Sequence, residues 1–287
     1  MGEWVLGVIG GSGLYDIEGL QDRRWITIDT PWGAPSDDLL TGALGELRLV
    51  FLPRHGRGHR LSPTDLNARA NIAALKLAGC TDVISLSAVG SLHEDLAPGC
   101  FVVVDQFIDR TFAREKSFFG PGLVAHVSMA HPTCPRLSAL AAQAGREAGA
   151  SVTLGGTYLV MEGPQFSTRA ESELYRTWGC DVIGMTNMPE AKLAREAQLP
   201  YASVAMVTDY DCWHEDIAHV EVAQIIACLM DNAAKARDLV VRLAAQLQGP
   251  REASPIDTAL ADAIITAPSA RDPDLVGKLK SILGDAL

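Results

Sequence analysis

At 287 residues, 48% of them hydrophobic and 21% charged, the chain has the make-up of a folded protein with enough material for an ample core. Its formal net charge of −11 argues against a nucleic-acid partner, which needs a clustered basic surface, but leaves room for a local anion site of a few Arg, His and backbone N–H groups. No apolar run of about 18 residues and no charged-then-apolar leader stands in the sequence, so a cytoplasmic protein with no membrane partner is expected.

The six cysteines stand singly with no CxxC pair, and the seven histidines form no HExxH or His-x-His cluster. Neither a disulfide framework nor a metal is expected. Residues 4–9 read as a buried first strand running into Gly10-Gly11-Ser12-Gly13. Glycines after such a strand let backbone N–H groups converge on a phosphate. A dinucleotide site fits poorly: Asp16 stands where its third glycine belongs, and residues 14–24 carry no helical stripe between it and Asp29. A G-x-S-x-G elbow fails because Leu14 replaces its last glycine.

Residues 25–29 are strand-like, and 47–52 form a strand ending in Pro53-Arg54-His55-Gly56-Arg57-Gly58-His59-Arg60. This is the one dense cationic cluster of an acidic chain, and so either an anion clamp or a solvated loop. A helix over 63–78, stopped by Gly79, leads to a strand over 81–87 and a second small-residue loop, Ala88-Val89-Gly90-Ser91. A strand over 101–107 precedes a long excursion, 111–133, of the kind that serves as a lid or a subunit contact. Then come a helix over 134–149, a strand over 156–161 entering Glu162-Gly163-Pro164-Gln165-Phe166-Ser167, a helix over 168–178 and a strand over 181–185. A further helix over 186–198 carries Glu190, Lys192, Arg195 and Glu196 as surface charges.

Residues 201–207 are a near-continuous apolar run that stops at Asp209 and Asp211. If the backbone stays extended, both carboxylates leave one face. The carboxyl ends of buried strands in an open α/β sheet are where ligands bind, although a solvated acidic turn fits the same residues. A long amphipathic helix covers 222–247, a breaker cluster 249–255, and two more helices flank Pro268 and Pro273. The alternation predicts an α/β fold: one domain with a mixed central β-sheet flanked by helices, residues 1–248, and a helical C-terminal extension of the same domain, 249–287.

Eight stretches in order carry a resemblance: Gly10-Gly11-Ser12-Gly13-Leu14, Pro53-Arg54-His55-Gly56, Asn67-Ala68-Arg69-Ala70-Asn71, Ser87-Ala88-Val89-Gly90-Ser91-Leu92, Asp105-Gln106-Phe107-Ile108-Asp109, Glu162-Gly163-Pro164-Gln165-Phe166, Gly184-Met185-Thr186-Asn187-Met188-Pro189-Glu190 and Thr208-Asp209-Tyr210-Asp211-Cys212-Trp213. Together, from about residue 5 to residue 243, the chain resembles the trimeric purine nucleoside phosphorylases. The resemblance implies a phosphorylase/hydrolase-like fold and reversible phosphorolysis, with inorganic phosphate as co-substrate and no cofactor. Within the family it lies nearest the members that split 5′-methylthioadenosine into adenine and 5-methylthioribose 1-phosphate in purine and methionine salvage.

Carried over residue by residue, Ser12, Arg54, His55, Ser87, Ala88 and Thr186 would hold phosphate, with Arg54 offering a planar fork. Met185 would contact the ribose, and Phe166 would wall the purine. Asp209 would protonate the departing base at N7, its pKa raised by Asp211 in a partly buried pocket. Two aspartates favour a 6-amino group, because a carboxylate facing a 6-oxo group sets acceptor against acceptor. The resemblance assigns the 5′ pocket to Ser167, Val222 and Ile225, with His126 reaching it from a neighbouring subunit of a homotrimer or hexamer. Ser12 and Ser87 replace the Thr of many relatives, Val89 stands where some have Cys, and residues 249–287 depart from the family pattern. Rival readings are a methylthioinosine or general purine nucleoside phosphorylase, a nucleosidase that uses water, and a non-catalytic nucleotide-binding module.

Overall fold

The computed structural model describes residues 3–11, 13–214, 222–284 and 287, the side chains of 222–226 excepted. In chain order it forms β1 (Val5–Gly10), β2 (Gln21–Ile26), β3 (Leu39–Leu44), β4 (Leu47–Pro53), α1 (Ala68–Leu77), β5 (Asp82–Ser91), β6 (Cys100–Val104), β7 (Gln106–Asp109) and α2 (Pro135–Glu147). There follow β8 (Ser151–Leu154), β9 (Thr157–Val160), α3 (Arg169–Thr177), β10 (Val182–Gly184), α4 (Asn187–Glu196), β11 (Tyr201–Tyr210), α5 (Val222–Gln246) and α6 (Pro273–Leu283).

The strands make one mixed sheet in the order β2-β3-β4-β1-β5-β10-β9-β7, with β11 on β5, β6 on β11 and β8 on β6. Strands β4, β1, β5 and β11 run parallel, so their carboxyl ends emerge at the same edge. One apolar core, with α1, α4 and α6, covers one face of the sheet; a second, with α2 and α5, covers the other. This is the expected mixed sheet between helices, and both faces of its central strands are dry. Among the described residues no helix is long and apolar enough to cross a membrane.

Several boundaries differ from the sequence expectation, each for a local reason. Helix α1 starts at Ala68 because the Asn67 side chain accepts from the Ala70 N–H at 3.1 Å and caps it there. The small-residue stretch after Ser87 is no loop: β5 continues to Ser91 because β11 pairs along its whole length. Residues 101–107 divide into two strands that pair with different partners, β6 with β11 and β8, and β7 with β9. Strand β3 went unread because Gly42 breaks its apolar pattern; a Cβ there would sit 2.6 Å from Leu20 Cγ, so only glycine fits.

The C-terminal residues hold one α-helix, α6, preceded by two short 3₁₀ turns. Leu279, Ile282 and Leu283 enter the core that α1 builds, and Arg251 bonds the fully buried Asp82 at 2.6 Å. The tail also bridges the 111–133 excursion, through the Ala125–Ile264 pair and Asp272 N–H to the Gly122 carbonyl at 2.9 Å.

Candidate active site

Strand β5 pairs with β1 only as far as Ser85 and with β10 only from Gly90. Along that edge, residues 86–89 are bonded by no strand, and a notch opens in the middle of the sheet. Ala88 is exposed although it lies in a central strand, as a residue on the floor of a cleft must be. The ends of β1 and β4 close one side of the notch, where Arg54 N–H donates to the Gly10 carbonyl at 2.9 Å. The turn from β10 into α4 closes the other.

Behind the notch lies a buried polar network. Arg54, 2% exposed, donates from Nε to Glu190 Oε1 at 2.6 Å, from Nη1 to the Leu86 carbonyl at 3.0 Å, and from Nη2 to Ser85 Oγ at 2.5 Å and Glu190 Oε2 at 3.4 Å. The fork expected for phosphate is therefore closed on Glu190, and among the described residues one Nη1 N–H is left. Glu190 also accepts from Ser85 Oγ and Tyr201 Oη, at 2.9 and 3.1 Å. It is not a surface charge: Glu190 and Glu196 are 3% and 7% exposed, and Lys192 and Arg195 are half-buried. Beyond the non-helical backbone at Met188, Glu190, Leu193, Ala194 and Ala197 share one face at i, i+3, i+4 and i+7, and that face is inward.

Asn187 links this network to the notch. Its Oδ1 accepts from Ser87 Oγ at 3.1 Å and Thr186 Oγ1 at 3.3 Å, and its Nδ2 donates to Tyr201 Oη at 2.8 Å and to Ser203 Oγ. Ser87 and Thr186, from two distant segments, thus stand side by side. Ser12 lies outside the described residues. His55 donates from Nδ1 to the Leu61 carbonyl at 3.0 Å and stacks on His59, ring centroids 4.3 Å apart. Burial, and then the Arg54 charge, push its pKa down to about 4, so the ring is neutral near pH 7 and Nε2 carries a lone pair.

The two aspartates come from the end of β11, the strand on the opposite edge of β5, and reach β5 at Gly90. A β-bulge at Thr208 lets Asp209 rather than Thr208 face Gly90. A Cβ on Gly90 would lie 3.2 Å from Asp209 Oδ1 and 3.4 Å from Asp211 Cβ, so both acidic residues crowd one side of a glycine. Thr208 Oγ1 donates to Asp209 Oδ2 at 2.6 Å. Burial raises the pKa of both carboxyls; for Asp209 the Thr208 hydroxyl opposes the rise and the Asp211 charge adds to it last. Desolvation, rather than the neighbouring charge, is the main cause. Asp211 Oδ2 is buried and has no hydrogen-bond partner among the described residues.

Met185 is half-buried: its Sδ packs on Gly163, and its carbonyl accepts from Arg114 Nη1 at 2.6 Å. Arg114 and Glu162, invisible as a pair in the sequence, hold this wall together. Glu162 accepts from Arg114, Thr64 and the N–H groups of Phe112 and Ala113, which overcome burial and bring its pKa down to about 2. Ser167 leans on the aspartate segment through its carbonyl, which accepts from Cys212 Sγ at 3.4 Å. Phe166 is 83% exposed. His126 is exposed too, on the excursion that the tail holds by the His126 N–H to Ala263 carbonyl bond. Val222 opens α5, but its side chain and that of Ile225 lie outside the described residues.

The notch thus offers hydroxyls, a neutral imidazole and free strand-edge groups at one end, suited to an oxyanion, and two carboxyls of raised pKa at the other. A family pattern described as the phosphorylase superfamily matches residues 5–245. The S-methyl-5′-thioadenosine phosphorylase of Cereibacter sphaeroides is 61% identical over 285 residues, covering 99% of this chain and 98% of its own. That of Geobacter sulfurreducens is 54% identical over 283 residues, 98% and 99% of the two chains. Among solved structures, a methylthioadenosine phosphorylase from an antarctic soil metagenomic library superposes with a TM-score of 0.93 at 45% identity, over 99% of this chain and all of that one (100%). A methylthioadenosine phosphorylase from Schistosoma mansoni, solved in complex with adenine, gives 0.77 at 38% identity over 85% and 92%. This chain belongs to the phosphorylase superfamily.

Proposed function

We propose that the protein catalyses reversible phosphorolysis of 5′-methylthioadenosine, giving adenine and 5-methylthioribose 1-phosphate. The observation that carries this reading is the notch itself, with an oxyanion shelf at Ser87, Ala88 and Thr186 and a carboxyl pair at Asp209 and Asp211, both gathered on the C-terminal half of β5. Names borne by relatives 54–61% identical over nearly their full length support the substrate.

In this reading a phosphate oxygen forms a bond to C1′ as the C1′–N9 bond breaks, and the electron pair leaves with the purine. The phosphate charge stabilises the cationic sugar between them. Asp209, protonated at higher pH than an ordinary carboxyl, donates to N7, and the base departs neutral. Ser12, Ser87, Thr186 and the Ala88 backbone hold the phosphate. His55, its Nδ1 proton committed to Leu61, accepts the remaining P–OH proton at Nε2. Arg54 contributes one N–H and its charge, moderated by Glu190. Met185 and Phe166 flank the sugar and base, Ser167 and Val222 line the 5′ pocket, and His126 serves a neighbouring subunit. The exposure of Phe112, Phe166 and His126 in the single chain supports a homotrimer, which light scattering on the eluting protein will size.

Incubation with 5′-methylthioadenosine, with and without phosphate, tests the function. Adenine release that tracks phosphate, with 5-methylthioribose 1-phosphate as co-product, is expected. Release in the absence of phosphate marks a nucleosidase, and no release marks a binding module; either result overturns the reading.

A further inference from the structure

Hydrogen-bond direction can be traced through the network behind the notch. Glu190 Oε2 only accepts, so Tyr201 Oη, 3.1 Å away, gives it its proton. Tyr201 oxygen must then accept from Asn187 Nδ2, which fixes the amide with its carbonyl oxygen toward Ser87 and Thr186. Both hydroxyls therefore donate inward and turn only lone pairs toward the cleft. A phosphate oxygen needs the opposite: it must receive their protons. When either hydroxyl turns outward, its oxygen loses the arrangement that satisfied it, inside a network with no access to water.

A donor is in place for that state. Tyr158 is fully buried and its phenol has no hydrogen-bond partner among the described residues. Its ring runs along β10, paired at Val182 and reaching Gly184, where a Cβ would stand 2.1 Å from Oη. Gly184 leads directly into Met185 and Thr186. Burial raises the phenol pKa, and the Ser87 and Thr186 hydroxyls are the first groups that oppose the rise. An unpaired buried hydroxyl is costly, so its retention calls for a state in which it is paired.

We propose that Tyr158 is a positioning residue for phosphate: its spare O–H donates to Ser87 Oγ or Thr186 Oγ1 once that hydroxyl has turned to donate to the bound anion. No proton is transferred; two O–H groups reorient, the phenol and the hydroxyl it serves. The proposal rests on the phosphorolytic reading above and assigns the buried phenol to the phosphate half of the site.

The test is Tyr158→Phe in the full-length enzyme, with phosphate and 5′-methylthioadenosine varied separately. The Michaelis constant for phosphate is expected to rise on the order of tenfold, the loss of one hydrogen bond in a dry network. The constant for the nucleoside stays within about twofold, and the melting temperature without phosphate does not fall, because an unpaired hydroxyl has been removed. In Ser87→Ala or Thr186→Val, whichever holds the partner hydroxyl, adding Tyr158→Phe changes the phosphate constant little further. An unchanged phosphate constant overturns the proposal, as does an equal rise in both constants with a lower melting temperature, or full additivity in both backgrounds. Failure of the phosphorolytic reading is seen separately, in wild-type enzyme that releases adenine without phosphate.

Discussion

Glu190→Gln is the substitution on which the architecture of the phosphate side turns. Arg54 and Glu190 are an ion pair with side chains 2% and 4% exposed, and the carboxylate accepts from Arg54 through both oxygens and from Ser85 and Tyr201 through Oε2. Glutamine keeps the carbonyl opposite Arg54 Nε but places an NH₂ where Oε2 received three donors. Two hydroxyls can rotate away; the Arg54 Nη2 group cannot. Removing one partner of a buried pair costs about 3–5 kcal/mol, because the other charge is left uncompensated. At about 2–4 °C per kcal/mol for a large single domain, the melting temperature should drop by roughly 10 °C. Thermal melts at pH 7 with and without phosphate measure this. Phosphate should raise the variant's melting temperature more than the wild type's, since a bound anion supplies the missing counter-charge beside Arg54. A variant that melts within about 2 °C of wild type, with no larger gain from phosphate, refutes the coupling between the ion pair and the oxyanion shelf.

Asp209→Asn keeps the bond from Thr208, which fixes the amide oxygen toward that hydroxyl and turns NH₂ to the cleft; the ratio of kcat/KM for methylthioadenosine over methylthioinosine should fall by about 100-fold. Unchanged base selectivity would rule out Asp209 as the residue that reads the 6-position. Gly90→Ala sets a methyl 3.2 Å from Asp209 Oδ1 and 3.3 Å from Ile183 Cγ2, so kcat should fall by on the order of tenfold while the melting temperature moves little. Glu196 has its pKa raised to about 7, burial outweighing the bonds from Phe118 N–H and Ser117 Oγ. Its protonated form is the one the fold prefers, so its contribution is full below about 4.5 and is lost as pH rises toward 7. Glu196→Gln should therefore gain on wild type in melts at pH 8 relative to pH 5.5, and an equal difference at both pH values would contradict that sign.

Most central strands and helices were legible because the runs at residues 4–9, 47–52 and 201–207 are nearly all apolar or small, broken only by Arg48 and Ser203, as strands buried on both faces require. Arg54, Ser87 and Thr186 were expected on one site because each stands in a stretch that carries the resemblance, and the structure brings Ser87 and Thr186 together at Asn187. Glu190, Asn187 and Tyr158 were not. Their chemistry depends on which way a polar side chain faces, and a charged residue on an amphipathic helix reads as solvated unless its stripe is followed through Leu193, Ala194 and Ala197. The Arg114–Glu162 pair was hidden for another reason: 48 residues separate its members, and nothing local marks either as inward. Phe166 shows the converse limit, an aromatic whose exposure only a complete assembly can interpret.

The bulge at Thr208 ties the two halves of the site to one strand. Were the same residues paired without the bulge, Thr208 would face Gly90 and Asp209 would move to Ser91, because register steps along the strand one residue at a time. With it, Asp209 stands at Gly90, two to three residues from Ala88 and Ser87, roughly 7–10 Å by strand rise. That is the space a sugar occupies between an attacking phosphate and a departing base. The same residue that makes the bulge donates its hydroxyl to Asp209 Oδ2 and to the Val89 carbonyl at 3.2 Å, so the irregular backbone and the carboxylate it presents are held by one side chain. If Asp209 reads the base as proposed, base choice depends on the geometry of β11 against β5 as much as on the identity of that residue, and a change that straightened this bulge would displace the carboxylate while leaving every proposed site residue in the sequence.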